Sequence, residues 1–142
     1  MRAGIAIVTL ALAACGAGSG EGLDQNGQPL RPPLTGLQPT LASIQDNILT
    51  VNCAVPGCHG GAGAQQGLQL DPGFSYGNLY HVPSPRDPNL IRVVPGDPDA
   101  SFIIQKLQGT QTLGDRMPDG GPYLTTAEVN VIIQWIQDGA PQ

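Results

Sequence analysis

Cys53-Ala54-Val55-Pro56-Gly57-Cys58-His59 places two thiols and an imidazole within seven residues, and Met117-Pro118 follows downstream. Three chemistries use such a set. A cysteine pair ending in Cys-His can anchor a c-type haem, with two thioether bonds to the porphyrin and the next residue's imidazole on the iron. Cys53, Cys58, His59 and His81 offer ligand types that suit zinc, although adjacent Cys-His ligands strain a tetrahedral site and the spacing matches no common finger. A plain Cys53–Cys58 disulfide is the third use, and it leaves His59 and Met117 without a role.

Haem attachment fixes the separation of the two sulfurs, because the vinyl groups have fixed places on the ring. The common spacing puts two residues between the cysteines, and here there are four. Pro56-Gly57 is a turn former that can fold the extra residues outward. On the other side, Met117 is the one methionine left once Met1 is removed. Its thioether is a soft ligand suited to the sixth position of haem iron. Pro118 stiffens its loop, and Gly114, Gly120 and Gly121 keep backbone bulk away from a flat ring. His81, in a Pro-rich loop, is the rival distal ligand. Arg92 and Arg116 are candidates to pair with haem propionates, and equally candidates for a surface role. Tyr76, Tyr80 and Tyr123 can line the pocket or fill gaps, and Trp135 reads as core.

Three helices have to hold these residues. Leu41 to Thr50, capped by Thr40, puts Leu41, Ile44, Ile48 and Val51 on one face and runs toward Cys53. A second helix is predicted from about Asp99 to Gln108, with Asp97 as N-cap, Pro98 at the first position and Gly109 as the stop. Ala100, Ile103, Ile104 and Leu107 form its apolar stripe. The third, Thr126 to Asp138, opens on the capping box Thr125-Thr126-Ala127-Glu128 and carries Val129, Ile132, Ile133 and Ile136 on one face. Ser75 to Tyr80 reads as a short helix, and His81 to Asn89, with three prolines, as irregular. Few segments alternate with period two, so the domain reads as all-α with long loops.

The 142 residues suffice for one domain. Aromatic residues make up only 4%, while 20 Gly and 14 Pro make the chain loop-rich, a composition that needs cohesion from a cofactor, a metal or disulfides. Residues 1–14 read as a signal peptide, a basic start followed by an apolar run too short to span a bilayer. The run ends in Leu12-Ala13-Ala14-Cys15-Gly16, which resembles a bacterial lipobox and implies acylation of Cys15. Residues 15–38 read as a lipidated tether rich in Gly, Ser, Gln and Pro, and 39–142 as the folded domain. An exported chain meets oxidising conditions, so Cys53 and Cys58 are left as a working pair. Losing Arg2 leaves five basic and eleven acidic residues, a net charge of −6. No basic stripe exists, which argues against nucleic acid as a partner; the acidic field favours a positively charged one.

Taken together, the chain resembles class I c-type cytochromes, most closely small lipoprotein monohaem domains with a long insertion between the attachment segment and the distal methionine. The resemblance covers roughly Ser43 to Ala140. It rests on Cys58-His59-Gly60, Leu68-Gln69-Leu70, Val94-Pro95-Gly96-Asp97-Pro98, Arg116-Met117-Pro118 and Trp135-Ile136-Gln137-Asp138-Gly139-Ala140. The C-x4-C-H spacing departs from the family's usual pattern. The resemblance implies one haem c held by Cys53 and Cys58, with His59 proximal and Met117 distal. It also implies that the first and last helices cross beside the haem. The expected function is electron transfer with other redox proteins by transient contact, not an enzyme, on the periplasmic side of a bacterial membrane or at the cell surface. The alternatives are a haem peroxidase or gas sensor with a weak sixth ligand, and a zinc- or disulfide-stabilised binding module.

Overall fold

The computed structural model describes residues 36–142; the segment read as a signal peptide, Cys15 and most of the segment read as a tether lie outside them. Among the described residues six helical elements, one of them a 3-10 turn, and one small hairpin surround a core that is aliphatic apart from Trp135 and Phe102. The order is α1 (Leu41–Ile44), a π-helix (Gln45–Cys53), α2 (Ser75–Leu79), β1 (Pro83–Ser84), β2 (Asp87–Ile91), α3 (Phe102–Gln108) and α4 (Thr126–Gln137). A single 3-10 turn at Gln65–Gly67 stands between the π-helix and α2. Among the described residues no helix is long and apolar enough to cross a membrane.

The first helix differs from its sequence expectation in an instructive way. Thr40 caps it as expected, its hydroxyl accepting from Ser43 N. After one α-helical turn the backbone widens to π-winding and continues to Cys53, where Ala54 N bonds Leu49 O five residues back. More residues per turn rotate the apolar stripe. Ile44, Ile48 and Leu49 face the core and Cys53 packs against it, whereas Val51, expected on that face, is 62% exposed. The buried Gln45 serves as a strut. Its Nε2 donates to Leu70 O at 2.9 Å and to Thr50 Oγ1 at 3.0 Å, and its Oε1 accepts from the Ser75 hydroxyl. A buried amide is stable only when satisfied in this way, and here it ties the helix to the segment that follows His59. Leu37, placed in the tether by composition, also packs against the core.

α3 begins at Phe102 rather than Asp99, with Ser101 as N-cap. Asp97 still accepts from Ala100 N at 3.0 Å, but within the turn that precedes the helix. The helix stops at Gly109 in the left-handed conformation, as its sequence predicts. The segment read as irregular forms the hairpin β1–β2, with Ser84 opposite Asp87 and a bulge between Pro83 and Ser84. Its prolines sit where a two-stranded ribbon tolerates a missing N–H. The hairpin carries Arg86 at its tip and leads into Arg92.

α4 carries the capping box intact: Glu128 N donates to Thr125 Oγ1, and Thr125 N donates to Glu128 Oε2 at 2.7 Å. Val129, Ile132, Trp135 and Ile136 are its buried face, in contact with α1 and α3. Trp135 is 1% exposed and its indole N–H donates to Pro141 O at 2.8 Å. Replacing Thr125 by Ala removes the hydroxyl cap and should lower stability by about 1 kcal/mol, read as a shift in denaturant midpoint; no shift would mean that the cap carries no net energy.

Candidate functional site

One cavity of about 620 Å³ lies between the π-helix, the Cys58–Leu70 segment, α3 and the loop before α4. Cys53, Cys58, His59 and Met117 all line it, so residues far apart in sequence share one wall system. Ile48, Leu49, Leu68, Leu70, Leu107 and Leu124 are among its apolar lining residues. Its volume falls in the range of about 300–1,000 Å³ usual for small-molecule and cofactor sites.

The four-residue gap between the cysteines is taken up by a turn. Cys58 N bonds Val55 O at 3.0 Å, with Gly57 at φ 83°, the signature of a type II turn with Pro56 and Gly57 as its central residues. Pro56 and Gly57 are both exposed; Pro56 lies outside the cavity lining, whereas Gly57 stands at its rim among the lining residues. His59 N then bonds Cys53 O at 3.1 Å and closes the loop on itself. Gly60 is required at the exit: a Cβ there would lie 2.7 Å from Ala54 O.

His59 is oriented from behind. Its Nδ1 lies 3.1 Å from Leu68 O. A carbonyl can only accept, so Nδ1 carries the proton and Nε2 keeps a lone pair. Leu68 N in turn bonds Gln65 O, and Leu70 N bonds His59 O at 2.8 Å. Burial pushes the His59 pKa below its ordinary 6.5, outweighing the backbone hydrogen bonds. Burial also pushes the Cys53 thiol up to about 12, with Cys58 and the Glu128 carboxylate adding to the shift. A thiol so reluctant to ionise is a poor nucleophile. Cys53 and Cys58 are not joined to each other.

Met117 is held by α3. Its N–H donates to Lys106 O at 2.9 Å, the Arg116 Nε donates to Leu107 O at 3.0 Å, and Lys106 Nζ donates to Asp115 O at 2.8 Å. Gly114 and Gly121 line the cavity but Gly120 does not. His81 is exposed, packs edge-on against Tyr80 and is absent from the lining. Among the described residues no group of three or more His, Cys, Asp or Glu side chains converges as for a metal ion.

Arg92 lines the cavity and is buried, donating to Asn78 O and Gln66 O at 2.8 Å each. Arg116 does not line it; it lies over the Tyr123 ring instead. Sequence reasoning missed Arg86 and Lys106, which join Arg92 in the lining beside Asp115 and Asp119. The sole signal for them was scarcity, since the folded domain has so few basic residues. Tyr76 and Tyr80 stack on each other at 4.9 Å, and none of the three tyrosines reaches the cavity. Comparison with protein-family models, curated proteins and solved structures yields no match.

The His59 shift sets a pH dependence. A folded-state pKa below the unfolded one means that the unfolded chain takes up the proton first. The contribution is therefore present above about pH 6.5 and is lost as pH falls through the lower folded value. Asp71, whose pKa is lowered by the Gly61 N–H and the Gln69 amide, adds a similar loss below 3.8. Denaturant midpoints should thus fall between pH 7.5 and 5 and fall again in stronger acid; a midpoint that rises on first acidification contradicts the buried neutral ring.

Proposed function

We propose that this domain is a monohaem c-type cytochrome of the class I kind and acts as an electron carrier. The observation that carries this reading is the shared cavity, which gathers both thiols, the imidazole and the thioether and leaves His81 outside. The residues fit the group. Cys53 and Cys58 would hold haem c through their sulfurs, His59 Nε2 would be the proximal ligand and Met117 the distal one. When bound, the haem supplies one-electron chemistry between ferrous and ferric iron.

The chain's own part is to fix ligands and exclude water. The Leu68 carbonyl sets the His59 tautomer and raises its basicity. The leucine walls keep the surroundings apolar, and thioether ligation favours the reduced state. Arg92 is positioned to meet an acidic edge of the cofactor, with three guanidinium donors beyond the two used by Asn78 and Gln66. Two protein ligands leave no open position, which favours electron transfer over peroxidase or gas-sensing chemistry. The reading extends to a lipid anchor on Cys15 and to transient contact with redox partners at a membrane surface, where tethering raises the effective concentration.

Mass spectrometry of the natively matured protein should find one covalently added haem, and replacing Cys53 or Cys58 by Ala should leave it singly attached or lost; a protein with no added mass overturns the reading. Met117→Ala should lower the reduction potential and admit external ligands, while His81→Ala should change neither. A potential that ignores Met117 and follows His81 would reverse the distal assignment. Cys15→Ala should move the protein from the membrane to the soluble exported fraction, and retention at the membrane would require another anchor.

A further inference from the structure

The last carbonyls of a helix have no partner within it and must find one outside. In α3 two of these, Lys106 O and Leu107 O, are satisfied by Met117 N and Arg116 Nε. The Arg116 side chain crosses the helix end over Gly109, where a Cβ would lie 2.8 Å from its Cδ. Its guanidinium carbon sits 4.0 Å from the centre of the Tyr123 ring. A planar cation is thus held between an aromatic face and the negative end of a helix, both favourable places for it. It adjoins Met117 yet stays outside the cavity that Met117 lines.

We infer that Arg116 is the positioning residue for Met117, a staple that fixes the thioether's approach to the cavity from the end of α3. The inference rests on Met117 being the distal ligand. Arg116 touches no reacting group; it sets how often the Met117 loop leaves α3. Two properties are needed together, a donor at Nε and a flat face for Tyr123. Lysine has the charge without either geometry.

The test uses the holoprotein with haem attached. Arg116→Gln should raise the affinity of the ferric protein for added imidazole roughly tenfold, the combined worth of one hydrogen bond and one cation–π contact. It should also weaken the red charge-transfer band of sulfur-ligated ferric haem, lower the potential and speed hydrogen exchange at the Met117 amide, with the Ile132 and Trp135 amides unchanged. Arg116→Lys should fail to rescue these readouts. Tyr123→Ala should act in the same direction and Tyr123→Phe should not. Imidazole affinity, band and Met117 exchange left as in the parent by Arg116→Gln, or full rescue by lysine, overturns the staple. Should Arg116→Gln not accumulate, Arg116→Lys and Tyr123→Ala carry the same comparison. If Met117→Ala itself alters neither potential nor imidazole affinity, the distal assignment fails; the Met117 amide exchange, which needs no ligation, then still decides whether Arg116 holds the loop.

Discussion

A single hydrogen bond, His59 Nδ1 to the Leu68 carbonyl, decides what the rest of the site can be. It protonates one ring nitrogen and leaves the other as a base. The carbonyl is fixed in turn because the Gln65–Leu70 segment is tied down from several sides. Gln45 Nε2 reaches Leu70 O, Arg92 reaches Gln66 O, and the His59 carbonyl takes the Leu70 N–H. The π-helix, the residue that follows the hairpin and the Cys53–His59 segment therefore meet at one short stretch of backbone, with little regular structure of its own.

The parts legible in the sequence are those governed by local chemistry. The capping box before α4, the glycine stop after α3 and the apolar stripe of α4 follow from contacts within a few residues, and they stand where the sequence puts them. The site residues were legible for a different reason: thiol, imidazole and thioether are rare enough in this chain to mark themselves. What the sequence hid depends on long-range partners. Gln45 looks like a surface amide until Leu70 and Ser75 are placed against it, and without that strut nothing signals the change to π-winding that turns Val51 outward. The hairpin was obscured because three prolines argue against strands in general, although not against a two-stranded ribbon.

Charge tells a related story. The domain is acidic as a whole, yet Arg86, Arg92 and Lys106 converge on the lining of one cavity. Arg86 sits at the tip of the hairpin and Arg92 directly follows it, and Lys106 comes from the helix that also holds Met117. Three cations thus share the pocket lining with two carboxylates, Asp115 and Asp119, in a molecule that is negatively charged as a whole. Composition gives the net value and is silent on this arrangement.

The turn from Val55 to Cys58 separates two quantities that spacing patterns usually merge. Its two central residues are exposed, with Gly57 at the cavity rim, while the loop is closed beneath them by the Cys53 carbonyl. Two hydrogen bonds, Cys58 N to Val55 O and His59 N to Cys53 O, pin the loop at its far end, whatever the count of residues it carries between the sulfurs. The Cys53–His59 segment is better described by how its peptide chain is pinned than by the number of residues between its cysteines.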